Sequence, residues 1–120
     1  MGHYVTSFVT PVPRKNRARY LKMARIFAKV WKDHGALEYV ECIADDVKPG
    51  KVTSFPQAVK LKKGETVVFS YVAYKSRKHR DQVMGKVFSD PRLAPFMDPK
   101  NLPFDAKRAF WGGFKSIVEA

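Results

Sequence analysis

The sequence predicts an α+β fold of the ferredoxin-like type: a βαββαβ chain with a four-stranded antiparallel sheet and two helices on one face. Three observations carry that reading. Four stretches rich in β-branched and aromatic residues alternate with two stretches whose apolar residues recur at helical spacing. Their order is strand, helix, strand, strand, helix, strand, and right-handed crossovers then put the first and third strands at the centre. Finally, the third and last strands carry bulk on both alternations. Val67, Phe69, Tyr71 and Ala73 alternate with Val68, Ser70, Val72 and Tyr74, and Phe110 and Phe114 point opposite to Trp111. Two helices cover only one sheet face, so the other is predicted to pair with a second copy, giving a dimeric α+β barrel.

The first strand is residues 4–12, YVTSFVTPV, closed by Pro11 and Pro13. Residues 14–34 follow as a helix with an apolar stripe of Tyr20, Met23, Ala24, Phe27, Trp31 and His34. Gly35 supplies its stop. Residues 37–44 return as a strand, with Leu37, Tyr39, Glu41 and Ile43 on one face. A short helix at residues 54–59 has a proline in its first turn. Residues 66–74, TVVFSYVAY, form the strongest strand, and their near-continuous apolar character suits a central position. Ser76 caps a second helix to about residue 89, with a stripe of Val83, Met84, Val87 and Phe88. A proline-rich connection spans residues 91–106. The last strand, residues 107–118, is interrupted by Gly112-Gly113, which marks a bulge or a close backbone approach.

The bulk numbers suit one domain over residues 1–120, with 45% hydrophobic and 28% charged residues. A single cysteine, Cys42, excludes an internal disulfide, and no Cys/His cluster exists for zinc. That favours a reducing, cytoplasmic setting. No apolar run reaches the roughly 20 residues of a membrane span. Met1-Gly2-His3-Tyr4-Val5-Thr6 formally fits a myristoylation pattern, but the same residues open a strand. No metal site and no cofactor is expected: GxSxG, Walker, GxGxxG and HExxH strings are all missing.

The formal charge of +12, from 23 Lys and Arg against 11 Asp and Glu, is the unusual quantity. It attracts polyanions and anionic substrates. Lys15, Arg19, Lys22 and Lys29, on the outer side of the first helix, are the candidate nucleic-acid contacts. Phe8, Phe69 and Tyr71 offer a stacking trio of the kind RNA-recognition sheets use, though no RNP1-like string accompanies them. A dimer through the same face would occupy those rings.

For a small ligand the candidates are Arg80, Trp111, His34 and Phe55. Arg80 heads the apolar stripe of the second helix, where a cation needs a carboxylate or a ligand anion. His34 closes the first helix, with Glu38 or Glu41 as an orienting acid. A packed helix-terminal histidine is the simpler reading. Phe55, Phe96, Met97 and Phe104 lie in the two long connections, which are long enough to serve as binding loops or as covers for the sheet.

Several strings are familiar together: His34-Gly35-Ala36-Leu37-Glu38-Tyr39, Asp45-Asp46-Val47 and Lys51-Val52-Thr53-Ser54-Phe55-Pro56. Met97-Asp98-Pro99, Pro103-Phe104-Asp105-Ala106-Lys107-Arg108 and Gly112-Gly113-Phe114 complete the set. In this order, over nearly the whole chain, the sequence resembles the bacterial YbaA-like family of uncharacterised proteins. The resemblance implies a dimeric α+β barrel and no assigned function, so it carries over no catalytic residue. Fold does not fix activity. Three readings stay open: a dimeric barrel that binds or transforms a small molecule, anionic molecules among the candidates; a basic nucleic-acid-binding protein; and a ligand-free scaffold.

Overall fold

The computed structural model describes residues 3–120; Met1 and Gly2, the start of the myristoylation-like string, lie outside them. The strands are β1 (Tyr4–Pro13), β2 (Glu38–Ile43), β3 (Glu65–Tyr74) and β4 (Phe110–Lys115). The helices are α1 (Arg17–Asp33), α2 (Phe55–Ala58) and α3 (Arg77–Phe88). The sheet order is β2-β3-β1-β4, with every neighbouring pair antiparallel. This is the ferredoxin-like arrangement the alternation of elements predicts, with β1 and β3 central.

Local chemistry sets the ends of the elements. Gly35 stops α1 in the left-handed region, at φ 109°. Ser54 and Ser76 cap α2 and α3, each accepting from a backbone N–H three residues on, Gln57 and His79. The proline-rich connection is not extended. It folds into 3-10 turns at Pro91–Met97 and Pro99–Asn101, opened by Asp90 and Asp98 side chains that accept from Arg92 and Lys100 N–H. β4 is shorter than its sequence pattern, because Arg108 is drawn out of the strand by two acids. Gly112-Gly113 forms no bulge. β4 keeps regular pairing with β1, and the missing side chain at Gly113 leaves room for the Tyr4 ring.

Register decides what each sheet face holds. Phe8 is opposite Ser70, and Val9 is opposite Phe69. One face therefore carries Phe8, Thr10, Val12, Val68, Ser70 and Val72, and α1 and α3 pack on it. Val30, Val72, Tyr74, Val83 and Val87 are fully buried there. The other face carries Val9, Val67, Phe69, Tyr71, Phe110 and Phe114. Residues 44–61, with α2, cover only one end of it, where Val9, Val59 and Val67 form a small core. The remainder is open, with Phe69 39%, Phe110 45% and Phe114 61% exposed. The stacking trio suggested by the sequence is thereby corrected: Phe8 lies on the helix side, whereas Phe69 and Tyr71 lie on the open side.

An acid in an aromatic cavity

Between the sheet, α1, α3 and the proline-rich turns lies a cavity of about 460 Å³, within the usual range for small-molecule sites. α1 lines it with Tyr20, Met23, Phe27 and Trp31, the stripe read from the sequence. The sheet contributes Phe8, Thr10, Tyr39, Glu41, Ser70 and Trp111. α3 adds Met84 and Phe88, and the turns add Leu93, Phe96, Met97, Leu102 and Phe104. Aromatic rings brace one another around it. Phe27 meets Phe96 edge-on at 5.2 Å between centroids, Tyr20 meets Phe104 at 6.0 Å, and Trp31 meets Tyr39 at 5.8 Å. Phe88, Met97 and Trp111 are half exposed or more, and form an apolar rim.

Glu41 is the one charged residue in this lining. The strand alternation that turns Tyr39 and Ile43 inward turns it inward too. The Tyr20 hydroxyl donates to Glu41 Oε1 at 2.6 Å, and the Tyr39 hydroxyl donates to Oε2 at 2.7 Å. Burial, then the neighbouring Glu41 charge, pushes both phenols far above their ordinary range. Each thus stays a neutral donor, and the carboxylate is held by two hydroxyls. No Lys, Arg or His nitrogen among the described residues lies within 4 Å of it. Sequence reasoning gave Glu41 only a supporting place beside His34. Its stronger signal was an acid on the same strand alternation as Tyr39, which places it, half-buried, on the sheet face that the helices cover.

The other candidates fall elsewhere. Trp111 lines the cavity and stands 6.3 Å from Phe8, between ring centroids. Arg80 does not line it. Its guanidinium lies over the Tyr4 ring, 5.0 Å from the centroid, and pairs with Asp81 at 2.7 Å. His34 joins the Asp90 carboxylate at 2.8 Å, and Arg92 bridges Asp90 to Asp33, so this cluster ties the end of α1 to the end of α3. Arg92, with the His34 bond adding to it, holds the Asp90 carboxyl far below the usual range. Glu38 instead accepts from Tyr71. Phe55 packs against Phe69 on the open sheet face, 6.2 Å between centroids. Lys15, Arg19, Lys22 and Lys29 are exposed, and Lys29 reaches Asp33 at 3.5 Å.

Among the described residues, no group of three or more His, Cys, Asp or Glu side chains is placed to hold a metal ion. No helix among them is long and apolar enough to cross a membrane.

Two solved structures share the fold. A dimeric ferredoxin-like protein from an uncultured marine organism aligns over the whole of both chains with a TM-score of 0.59 at 12% identity. A NIPSNAP family protein from Agrobacterium tumefaciens aligns over 98% of this chain and 86% of its own, with a TM-score of 0.53 at 15% identity. In sequence, the chain is 46% identical over 116 residues to the uncharacterized protein YbaA of Escherichia coli K12, covering 97% of each. The Shigella flexneri protein of the same description matches equally. Residues 3–106 match the family described as protein of unknown function DUF1428, and with relatives this similar along nearly their full length, the chain belongs to that family.

Proposed function

We propose that the protein is a homodimer that binds a small, largely apolar molecule between sheet and helices, where Glu41 accepts a hydrogen bond from it. The observation that carries the reading is an acid facing an aromatic cavity, with two tyrosine hydroxyls as its only side-chain partners among the described residues. A carboxylate has about four acceptor sites, and the tyrosines use two. The remaining lone pairs suit an O–H or N–H on an aromatic body, which the surrounding rings would stack against. Phe88, Met97 and Trp111 form the open rim of the cavity on the α3 side. Arg80, engaged by Tyr4 and Asp81, is spared for the helix start and plays no part in binding.

The homodimer reading rests on the open apolar sheet face and on the description of the marine neighbour as dimeric. Residues 1–120 act as a single domain in it. An exposed, unpaired Cys42 supports a reducing, cytoplasmic setting.

Titrating the intrinsic tryptophan fluorescence with simple phenols and indoles tests the site, because Trp31 and Trp111 both line it. Saturable quenching is expected, weakened about tenfold in Glu41→Gln, the cost of one hydrogen bond to a charged acceptor. No saturable binding across the series, or equal affinity in the variant, overturns the proposal.

A further inference from the structure

The aromatic cavity has a neighbour. A second hollow of about 410 Å³ lies between the start of α1 and the edge strand β2, and it shares Tyr20 and Glu41 with the first. Its floor is apolar, with Val12, Ile43 and Val68. Its rim carries Arg14 and Arg17, and neither guanidinium reaches an acid among the described residues. The backbone beneath them is fixed: Arg14 N–H donates to Gly64 O at 2.8 Å, and Arg17 opens α1.

We propose that this hollow is the outer half of the same ligand site, and that it receives the carboxylate of an amphipathic organic acid whose apolar body fills the inner cavity. The inference rests on the cavity reading above and adds the ligand's head group. Charge sets the orientation. A carboxylate inside the cavity would face Glu41 with no cation to offset it, and like charges at short range in an apolar setting repel strongly. Beyond Glu41, the same group meets two uncommitted arginines, whose planar forks match a carboxylate. The net charge of +12 draws such an acid toward the protein in the first place. Glu41 then accepts from a donor near the middle of the ligand, between body and head.

A matched pair of probes tests this: N-naphthoyl-β-alanine against N-naphthoyl-3-aminopropanol, which share an aromatic body and a central amide N–H, by calorimetry, on the wild type and on the double variant Arg14→Gln/Arg17→Gln. The acid is expected to bind the wild type about tenfold more tightly than the alcohol, as loss of one charge-assisted contact would give. The variant should erase that preference, by weakening the acid far more than the alcohol. Equal binding of acid and alcohol to the wild type overturns this inference alone, as does a preference that survives in the variant. If neither probe binds, the cavity reading itself fails, and the head-group assignment with it.

Discussion

Arg108 grips Glu65 through two parallel hydrogen bonds of 2.7 and 2.6 Å, across 43 residues of chain. The same guanidinium reaches Asp105 through Nε at 2.9 Å and the Lys60 carbonyl at 3.0 Å. It therefore fastens the approach to β4 onto the turn before β3. Glu65 is 7% exposed, and among the described residues only Arg108 places a cationic nitrogen within 4 Å of it, with the Lys62 backbone N–H donating at 2.7 Å.

Removing that guanidinium strands a buried acid. Arg108→Ala should cost about 3 kcal/mol of stability, the range for breaking one side of a buried pair. Urea unfolding at neutral pH measures it. The pH dependence has a definite sign. Arg108 holds the Glu65 carboxyl below its ordinary value of 4.5, so the unfolded chain takes up a proton more readily than the folded one. The pair's contribution is then full above that value and is lost as the pH falls below it. The wild type should lose its advantage over Arg108→Ala on the acid side, and a gap that stays constant down to about pH 3 would contradict the account.

The phenols around Glu41 give a direct optical test. Tyr20 and Tyr39 are raised by burial first and by the Glu41 charge second. Neither phenol should ionise while the fold persists. In an ultraviolet titration, Tyr20→Phe and Tyr39→Phe should therefore leave the curve unchanged up to the alkaline pH at which the protein unfolds. Loss of a tyrosine's ionisation signal below that point in either variant would contradict the account.

The open sheet face predicts its own test. Phe69→Lys and Phe114→Lys place a charge among the exposed rings, far from the helix-side cavity. Each should leave the fold intact, because both residues are partly solvated already. Sedimentation should report a dimer for the wild type and a monomer for either variant. A wild-type monomer, or variants that remain dimeric, would remove that face from the assembly.

The fold was legible because its signals are periodic and local. The α1 stripe from Tyr20 to Trp31 is buried as its spacing required, and the unbroken run before Tyr74 lies at the sheet centre. The candidate site was less legible, because its polar groups depend on pairings between distant segments. Arg80 looked like a cation in need of a carboxylate or a ligand anion, and it takes the carboxylate of its own neighbour Asp81 while lying over the Tyr4 ring. His34 found Asp90, 56 residues away, rather than an acid on the adjoining strand. The Phe8 and Phe69 rings looked like one surface until register placed them on opposite faces. Arg108 carried no sequence signal at all beyond its place in a familiar string.

The bond between Arg108 and Glu65 also fixes when the molecule can be finished. β1 lies between β3 and β4, so the earliest strand in the chain takes a neighbour that is made after α1, β3 and α3. Until residues 108–115 have been made, Glu65 lacks its guanidinium partner and one long side of β1 has no strand beside it. A nascent chain that has reached only α3 therefore keeps apolar strand surface uncovered, and that unfinished form is the one most exposed to aggregation.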